Sequence, residues 1–236
     1  MSQITTITFF RLNKATSKAW AFFMMQFGHA KLAKVSGQEF YKLMGSGRGL
    51  GFSPWPDWSI YTLLQIWESQ EAAEKFFTTS DFLKKYQSKA SQSSTVFLRN
   101  VASHGTWDNL TPFQADITSE DEQLPRMILT RATIKKSKLR KFWNYVPTSQ
   151  KPIENAKGLV YTKGVGEWPL TQMATLSVWE SEQAMKDFAY GSEEHKKAIK
   201  MTKELNWYKE ELFARFVPYR LEGDFAELEG LERLIR

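Results

Sequence analysis

The stretch LLQIWESQEAAEKFF at residues 63–77 returns as TLSVWESEQAMKDFA at residues 175–189, so the chain resembles itself at an offset of 112 residues. The similarity continues past the end of this stretch. At the same offset, SDFLKK (80–85) corresponds to SEEHKK (192–197). A match that extends over more than one predicted element indicates a duplicated supersecondary unit.

Three further segments keep the same order in both halves. TITFFRL (6–12) matches MILTRAT (127–133), YKLMGSG (41–47) matches VYTKGVG (160–166), and TVFLRNV (95–101) matches ELFARFV (211–217). This alignment sets Gly45 against Gly164 and Gly47 against Gly166. We also match Arg11 with Arg131, and Arg99 with Arg215, as arginines at corresponding strands of the two halves.

Each half has the same predicted order of elements. Runs rich in β-branched and aromatic residues predict strands, and residues 16–35, which contain no proline, predict a helix buried on a broad face. Ser69 and Ser80 stand where helix N-caps are expected. The order is β-α-β-β-α-β, the ferredoxin-like unit, so we predict an α+β fold of two such units packed as a barrel of the dimeric α/β type.

The polar stretch DITSEDEQLP (116–125) separates the two predicted units. The sequence therefore predicts a first unit over residues 1–115 and a second unit over residues 126–217. The remaining residues, 218–236, predict a tail that forms a short amphipathic helix or strap.

The composition excludes several kinds of catalytic and metal-binding site. The 236 residues include no cysteine, which excludes disulfides, thiolate catalysis and cysteine-ligated metals or haem. The chain has three histidines in no paired motif, so a multi-histidine metal site is disfavoured, whereas a cofactor needing one histidine is allowed. No run of 18 apolar residues and no signal-peptide pattern occurs, which favours a cytoplasmic location.

The net charge of +6 is spread mainly over predicted helix positions. This pattern favours a solvated helix surface over a nucleic-acid site, so we expect no nucleic-acid partner. A basic protein is suited to an acidic partner, such as an electron-transfer protein, or to contact with an anionic membrane surface.

His195 lies at the position of Leu83 in the repeat, on the apolar stripe of a predicted helix. A single histidine on such a stripe is either a hydrogen-bonded core residue or a ligand, and the spacing alone leaves both open. The glycine-rich stretch GSGRGLGF (45–52) lacks a phosphate-loop spacing and predicts a lid or pocket rim between two strands.

A set of segments spread over about residues 4–217 is typical of one family: FFR (9–11), FYKLMGSG (40–47), GFSPWP (51–56), LTRATI (129–134), FW (142–143), KGVGEWP (163–169), the helix of His195, and WYKEELFARF (207–216). On these segments the chain resembles the spheroidene monooxygenase family. Together these segments are specific, although each alone is not.

The resemblance implies a haem-dependent monooxygenase that acts on a hydrophobic, carotenoid-like substrate with O2 and electrons from a ferredoxin. It implies haem b, because no CxxCH motif is present, with His195 as the proximal iron ligand. The candidate donors to bound oxygen are Arg131, Arg215 and Lys163, the candidate partners of the haem propionates are Lys42 and Arg48, and the candidate pocket wall is Trp143.

The alternative for Arg131 and Arg215 is a structural role, since arginines stand at the matching places of the first half. For the whole protein the alternatives are a haem enzyme of the same superfamily that performs dehydration, a non-catalytic carrier of haem or a hydrophobic ligand, and a cofactor-free monooxygenase. Membrane contact and homo-oligomer formation stay open.

Overall fold

The computed structural model describes residues 3–115, 121–191 and 205–235. The elements of the first half are β1 (Ile4–Arg11), α1 (Ala15–Phe27), α2 (His29–Leu32), β2 (Gln38–Gly47), β3 (Pro56–Trp67), α3 (Gln70–Thr79), α4 (Asp81–Lys89) and β4 (Gln92–Gly105). Those of the second half are β5 (Arg126–Ile134), α5 (Leu139–Gln150), β6 (Leu159–Trp168), β7 (Gln172–Trp179), α6 (Glu182–Gly191), β8 (Tyr208–Asp224) and α7 (Glu229–Ile235). Short 3-10 helices span Lys136–Lys138, Lys151–Asn155 and Ala226–Leu228.

The eight strands form one closed antiparallel barrel in the order β1-β3-β2-β6-β7-β5-β8-β4. Each half contributes a sheet with the ferredoxin-like strand order, β2-β3-β1-β4 in the first and β6-β7-β5-β8 in the second. The two sheets join along β4 and β8 over a long ladder, and along β2 and β6 through two residue pairs. The predicted fold class is therefore confirmed.

The helices of the first half confirm the two predicted N-caps but not the predicted long helix. The Ser69 hydroxyl accepts a hydrogen bond from the Ala72 amide, and Ser80 accepts one from Leu83, as expected of N-caps. The single helix predicted over residues 16–35 is wrong, because α1 ends at Phe27 and a separate short helix, α2, begins after Gly28. Gly28 packs closely at this break, where a Cβ would crowd the Leu43 and Phe82 side chains. The broad buried face is also wrong, since only Ser17 and Ala21 of α1 are buried.

Strand register corrects the alignment of the repeat. Phe9 pairs with Thr62, and Arg131 pairs with Ala174, the residue 112 positions after Thr62. Arg131 therefore corresponds to Phe9, and the expectation that Arg11 matches it is wrong by two residues.

The same comparison changes two other correspondences. Gly45 pairs with Tyr61 and Gly166 with Met173, so Gly45 corresponds to Gly166 rather than to Gly164. By the same register Lys42 corresponds to Lys163, a relation that the sequence alignment missed. Arg215 corresponds to Phe97, not to Arg99, because their partners Ile128 and Thr6 are equivalent.

The barrel interior is a packed core. Buried side chains from all eight strands fill it, and Trp107 and Phe113 close one end. At the other end β8 continues past residue 217 to Asp224, and the strap that follows buries Phe225, Leu228 and Leu231 against the core. The division of the chain at residues 115, 126 and 217 stays a prediction.

Candidate functional site

The two sheets differ most on their outer faces, which the helices cover. On the first sheet, Leu63 and Gln65 point outward and are fully buried. The residues that correspond to them on the second sheet are Thr175 and Ser177, which are partly exposed. Two further substitutions have the same direction: Phe10 corresponds to Ala132, and Leu43 to Gly164. The second outer face therefore carries smaller side chains.

The packing follows this difference. The helices of the first unit and the outer face of its sheet form one hydrophobic cluster that includes Phe10, Leu63, Trp67 and Phe97. In the described part of the second unit the corresponding residues divide into two smaller clusters, one around Phe142 and one around Trp179. Between them the sheet presents Thr130, Thr175 and Ser177.

A groove runs over the seam where β2 and β6 meet, outside the barrel. Its walls come from α1, from the loop at residues 48–55 and from the turn at residues 168–171, and it encloses about 630 Å³. We call it the seam groove. Its lining is mainly aromatic and aliphatic and includes Phe22, Phe52, Trp58, Trp168 and Met173.

Two buried cations lie inside the barrel at the end closed by Trp107, here called the Arg131 end. Arg131 is 1% exposed, forms an ion pair with Glu210, and stacks over the Trp107 ring with 5.4 Å between the guanidinium carbon and the ring centroid. Lys42 binds Asp108 and also Glu167, whose carboxylate oxygen lies 2.5 Å from the ammonium nitrogen.

The loop after β4 brings these partners together. Asp108 and Asn109 both have positive φ, of 55° and 62°, in a tight turn closed by hydrogen bonds between Trp107 and Leu110. Asp and Asn adopt this backbone region more readily than most residues. The turn inserts the Trp107 ring into the barrel, where its indole nitrogen donates to Glu167 over 2.7 Å.

The pKa of Glu210 is strongly perturbed by its place in this cluster. Burial by itself raises its pKa, but hydrogen bonds from the Asn109 amide, Arg131 and Thr106 outweigh burial and lower the pKa to about 2. A carboxylate held in this way is anionic at any physiological pH. The cluster thus acts as a polar plug that joins β2, β5, β6 and β8.

Lys163 lies at the opposite end of the barrel, where the strap packs. Its ammonium nitrogen is 2.9 Å from a carboxylate oxygen of Asp57, which also accepts hydrogen bonds from Ser59. Burial raises the pKa of Asp57, while the bonds from Ser59 and Lys163 lower it below its ordinary value overall. A cavity of about 400 Å³ beside Lys163 is lined by Tyr161, Ile60 and Glu227.

Arg215 has a different environment from the other candidate donors, because it points to the outer face of the second sheet. Its guanidinium is 3.1 Å from a carboxylate oxygen of Glu182, and its side chain is 30% exposed. Glu182 also binds the fully buried Arg126, at 2.7 Å, and Lys186. Burial raises the pKa of Glu182, and these bonds to Lys186 and Arg126 lower it overall.

The residues predicted from sequence do not form one site. Arg131 and Lys42 share the Arg131 end, Lys163 lies at the strap end, and Arg215 lies on the second outer face. Arg48 is exposed in the loop beside the seam groove, and Trp143 donates to the Leu170 carbonyl at the rim of this groove over 3.2 Å. His195 lies outside the described residues, and its role stays a prediction.

Sequence reasoning missed Trp107, Asp108, Glu167 and Glu210. The three acids lie in a turn or near the end of a strand, where acids are ordinary surface residues, so composition gave no reason to select them. In the described parts of the chain, no group of three or more histidine or acidic side chains is arranged to hold a metal ion. None of the helices described is long and apolar enough to cross a membrane.

The barrel fold of this protein is shared with a solved enzyme structure. Aldoxime dehydratase has the same fold, with a TM-score of 0.61 over 92% of this chain and 81% of that protein, at 9% sequence identity. No family model matches the chain.

Two curated relatives identify the family to which the chain belongs. The chain is 34% identical to the spheroidene monooxygenase of Cereibacter sphaeroides over 229 residues, which is 97% of this chain and 69% of the relative. It is 31% identical to the spheroidene monooxygenase of Rhodobacter capsulatus, over 97% of this chain and 95% of that protein. The chain belongs to the spheroidene monooxygenase family, which confirms the resemblance seen in the sequence.

Proposed function

We propose that this protein is a haem-dependent monooxygenase that transfers one oxygen atom of O2 to a hydrophobic, carotenoid-like substrate, with electrons from a ferredoxin-type donor. Membership of the spheroidene monooxygenase family carries the proposal of a monooxygenase and of its substrate class. The cofactor and the electron donor rest on the sequence resemblance.

The second outer face fits a flat prosthetic group better than the first does. A ligand that lies on a sheet needs space that side chains would otherwise fill, and here Thr175 and Ala132 replace Leu63 and Phe10. His195 is the residue proposed to hold the haem iron, and haem b, when bound, supplies an iron that binds and activates O2.

Among the candidate donors, Arg215 suits this face best. Arg131 and Lys163 point into the barrel and are held there by ion pairs, so the sheet lies between them and the outer face. Arg215 lies on the outer face itself, where Glu182 restrains its guanidinium. A restrained guanidinium can donate a hydrogen bond to an oxygen atom with little loss of side-chain entropy.

The partners proposed follow from charge and from exposed apolar surface. The sequence pI of about 9.3 is suited to an acidic electron donor, which electrostatic attraction would guide to the protein. Exposed aromatics such as Phe27 and Trp55 are suited to peripheral contact with a membrane surface.

An absorption spectrum tests the proposal. Purified protein reconstituted with haem should show a Soret band, and His195→Ala should stay folded but lose most of the haem or change its axial-ligand spectrum. His29→Ala and His104→Ala are the controls, because His29 is exposed beside Tyr41 and His104 stacks on Phe213. Full haem occupancy with an unchanged spectrum in His195→Ala would contradict the ligand assignment.

A further inference from the structure

The floor of the seam groove is built from glycines. Gly45 and Gly47 on β2, and Gly164 and Gly166 on β6, all line it. A glycine inside a strand weakens the sheet, so its presence there needs a reason, which is usually the close approach of another backbone or of a ligand.

The protein's own backbone accounts for three of these glycines. A Cβ at Gly164 would overlap the Gly51 carbonyl, and one at Gly166 would lie 2.6 Å from the Gln172 carbonyl oxygen. At Gly47 a Cβ would lie 3.0 Å from Ser53. Gly164 and Gly166 therefore need glycine, and Gly47 is tightly covered, because the loop at residues 48–55 and the β6–β7 hairpin pass directly over them.

Gly45 is different. Among the residues that the structure describes, a Cβ built there would meet no heavy atom nearer than the Tyr61 ring at 4.0 Å, and Gly45 does not have the positive φ that would call for glycine. Protein packing thus leaves space above Gly45 that a side chain could fill. This space lies in the groove, so it is available to a ligand placed flat against the strand.

The walls above this floor are exposed aromatic rings. Phe22 and Phe23 of α1 are 50% and 59% exposed, and the Phe22 ring meets the Trp58 ring edge to face with 5.2 Å between centroids. Across the groove Trp168 is 63% exposed. Single exposed apolar residues are common, but several large rings around one concave surface indicate a site for an apolar partner.

Backbone strain at the rim is further evidence for a binding site in the groove. Leu170 has φ of 66°, which costs free energy in a residue other than glycine. Its carbonyl accepts the hydrogen bond from Trp143, which holds the turn in place, and its side chain is 40% exposed at the groove. The fold thus maintains a strained turn that presents an apolar side chain at the groove.

The carboxylates that line the groove are already paired within the protein. Asp57 binds Lys163, and Glu167 binds Lys42 and the Trp107 indole. A cationic ligand would find no free counter-ion among them, and the rest of the lining is mainly apolar. The lining therefore favours an uncharged molecule over a cation.

We propose that the seam groove binds a long, flat, uncharged apolar molecule, a conjugated polyene, which lies on Gly45 between the rings of Phe22, Trp58 and Trp168. The inference rests on the proposed function, because it names the place where the hydrophobic substrate is held. Gly164 pairs with Thr175, so the groove adjoins the small-residue face of the second sheet. A polyene in the groove would thus extend toward the surface proposed for the haem.

The test measures polyene binding directly. The full chain is titrated with all-trans-retinol, an uncharged polyene alcohol, and tryptophan emission reports energy transfer to the bound polyene. Wild type should bind saturably with one molecule per chain. Gly45→Leu fills the floor and should weaken binding at least about tenfold, and Gly45→Ala should have a smaller effect in the same direction. Phe22→Ala should weaken binding about three- to tenfold.

Folding and site are separated by two controls. A larger residue at Gly45 suits a strand, so Gly45→Leu should keep the wild-type circular dichroism and melting temperature. The matched control is Gly191→Leu, where an added Cβ meets no atom of the described residues within 4 Å and which does not line the groove. It should bind retinol as wild type does.

The inference is overturned if wild type shows no saturable binding, or if folded Gly45→Leu binds within about twofold of wild type. Its failure is distinguishable from failure of the proposed function. A Soret band without retinol binding contradicts the groove proposal and leaves the haem proposal intact. Retinol binding without haem uptake supports the groove proposal and contradicts the haem proposal.

Discussion

The outer faces of the two sheets have the same strand order and the same position beneath helices, yet they are used differently. On the first sheet large apolar side chains such as Leu63 and Phe10 join the helices in one continuous core. On the second sheet Thr175 and Ala132 occupy the equivalent places, and the described core is divided. The barrel interior is filled in both halves.

This difference shows how a duplicated fold can divide stability and function between its copies. The first unit and the shared interior bury most of the large apolar side chains and so supply the hydrophobic stabilisation. The second face, relieved of that role, can keep small and polar side chains next to a ligand. The comparison makes predictions at equivalent positions.

The largest effect is expected inside the barrel, where Arg131 corresponds to Phe9. Arg131→Ala should reduce the free energy of unfolding by about 3–5 kcal/mol, because it removes a fully buried side chain and leaves the partly buried Glu210 carboxylate without its cation. Urea unfolding measures the change. In the double variant Arg131→Ala/Glu210→Gln much of this loss should be recovered, and purely additive effects would show that the ion pair is not the cause.

The second effect contrasts the outer faces directly. Leu63→Ala should cost about 2–5 kcal/mol, since it opens a cavity in the continuous cluster of the first unit. The equivalent change on the second face, Thr175→Ala, should cost less than about 1 kcal/mol, because Thr175 is partly exposed. Equal losses in the two variants would show that the two faces are packed alike.

The pH dependence of stability tests the Arg131 end. The folded pKa of Glu210 is lowered from its ordinary value of 4.5 to about 2. Its contribution to stability is therefore complete above about pH 4.5 and is lost as the pH falls toward 2. Glu210→Gln should flatten the stability profile in this window, as measured by unfolding at a series of pH values; an unchanged slope would assign the acid sensitivity to other carboxylates.

The smallest effect concerns the two glycines that face each other across the seam. Gly166→Ala should destabilise by about 1–3 kcal/mol because its methyl group would meet the Gln172 carbonyl. Gly45→Ala should be neutral or stabilise by up to about 1 kcal/mol, because it restricts the unfolded chain without a clash. Differential scanning calorimetry compares them, and a loss at Gly45 like that at Gly166 would mean that the groove floor is packed.

The sequence predicted the elements better than their exact correspondence. Two N-caps, the strand order and the barrel follow from local signals and from the repeat, because hydrogen-bond capping and alternating hydrophobicity act over a few residues. The alignment of Arg131 with Arg11 was wrong by two positions. A shift by two keeps a side chain on the same face of its strand, so the hydrophobic pattern alone does not detect it.

The candidate site was harder to predict than the fold. Lys42, Arg131 and Lys163 were selected from the sequence as residues of one site, but the structure separates them to the two ends of the barrel. Asp108 and Glu210, the partners of Lys42 and Arg131, come from segments about a hundred residues apart, which only barrel closure brings together. The aromatic rim is likewise formed by α1 and two distant turns.

By itself the sequence determined the duplicated ferredoxin-like order, the absence of any cysteine ligand and the family. These depend on composition, periodicity and similarity, which are properties of the linear chain. Tertiary structure alone decided which side of the sheet each charged residue occupies and which glycine has open space above it. The reason is physical. Strand register and barrel closure are set by backbone hydrogen bonds between segments distant in sequence, and the sequence of one strand does not specify which residue of another strand it pairs with.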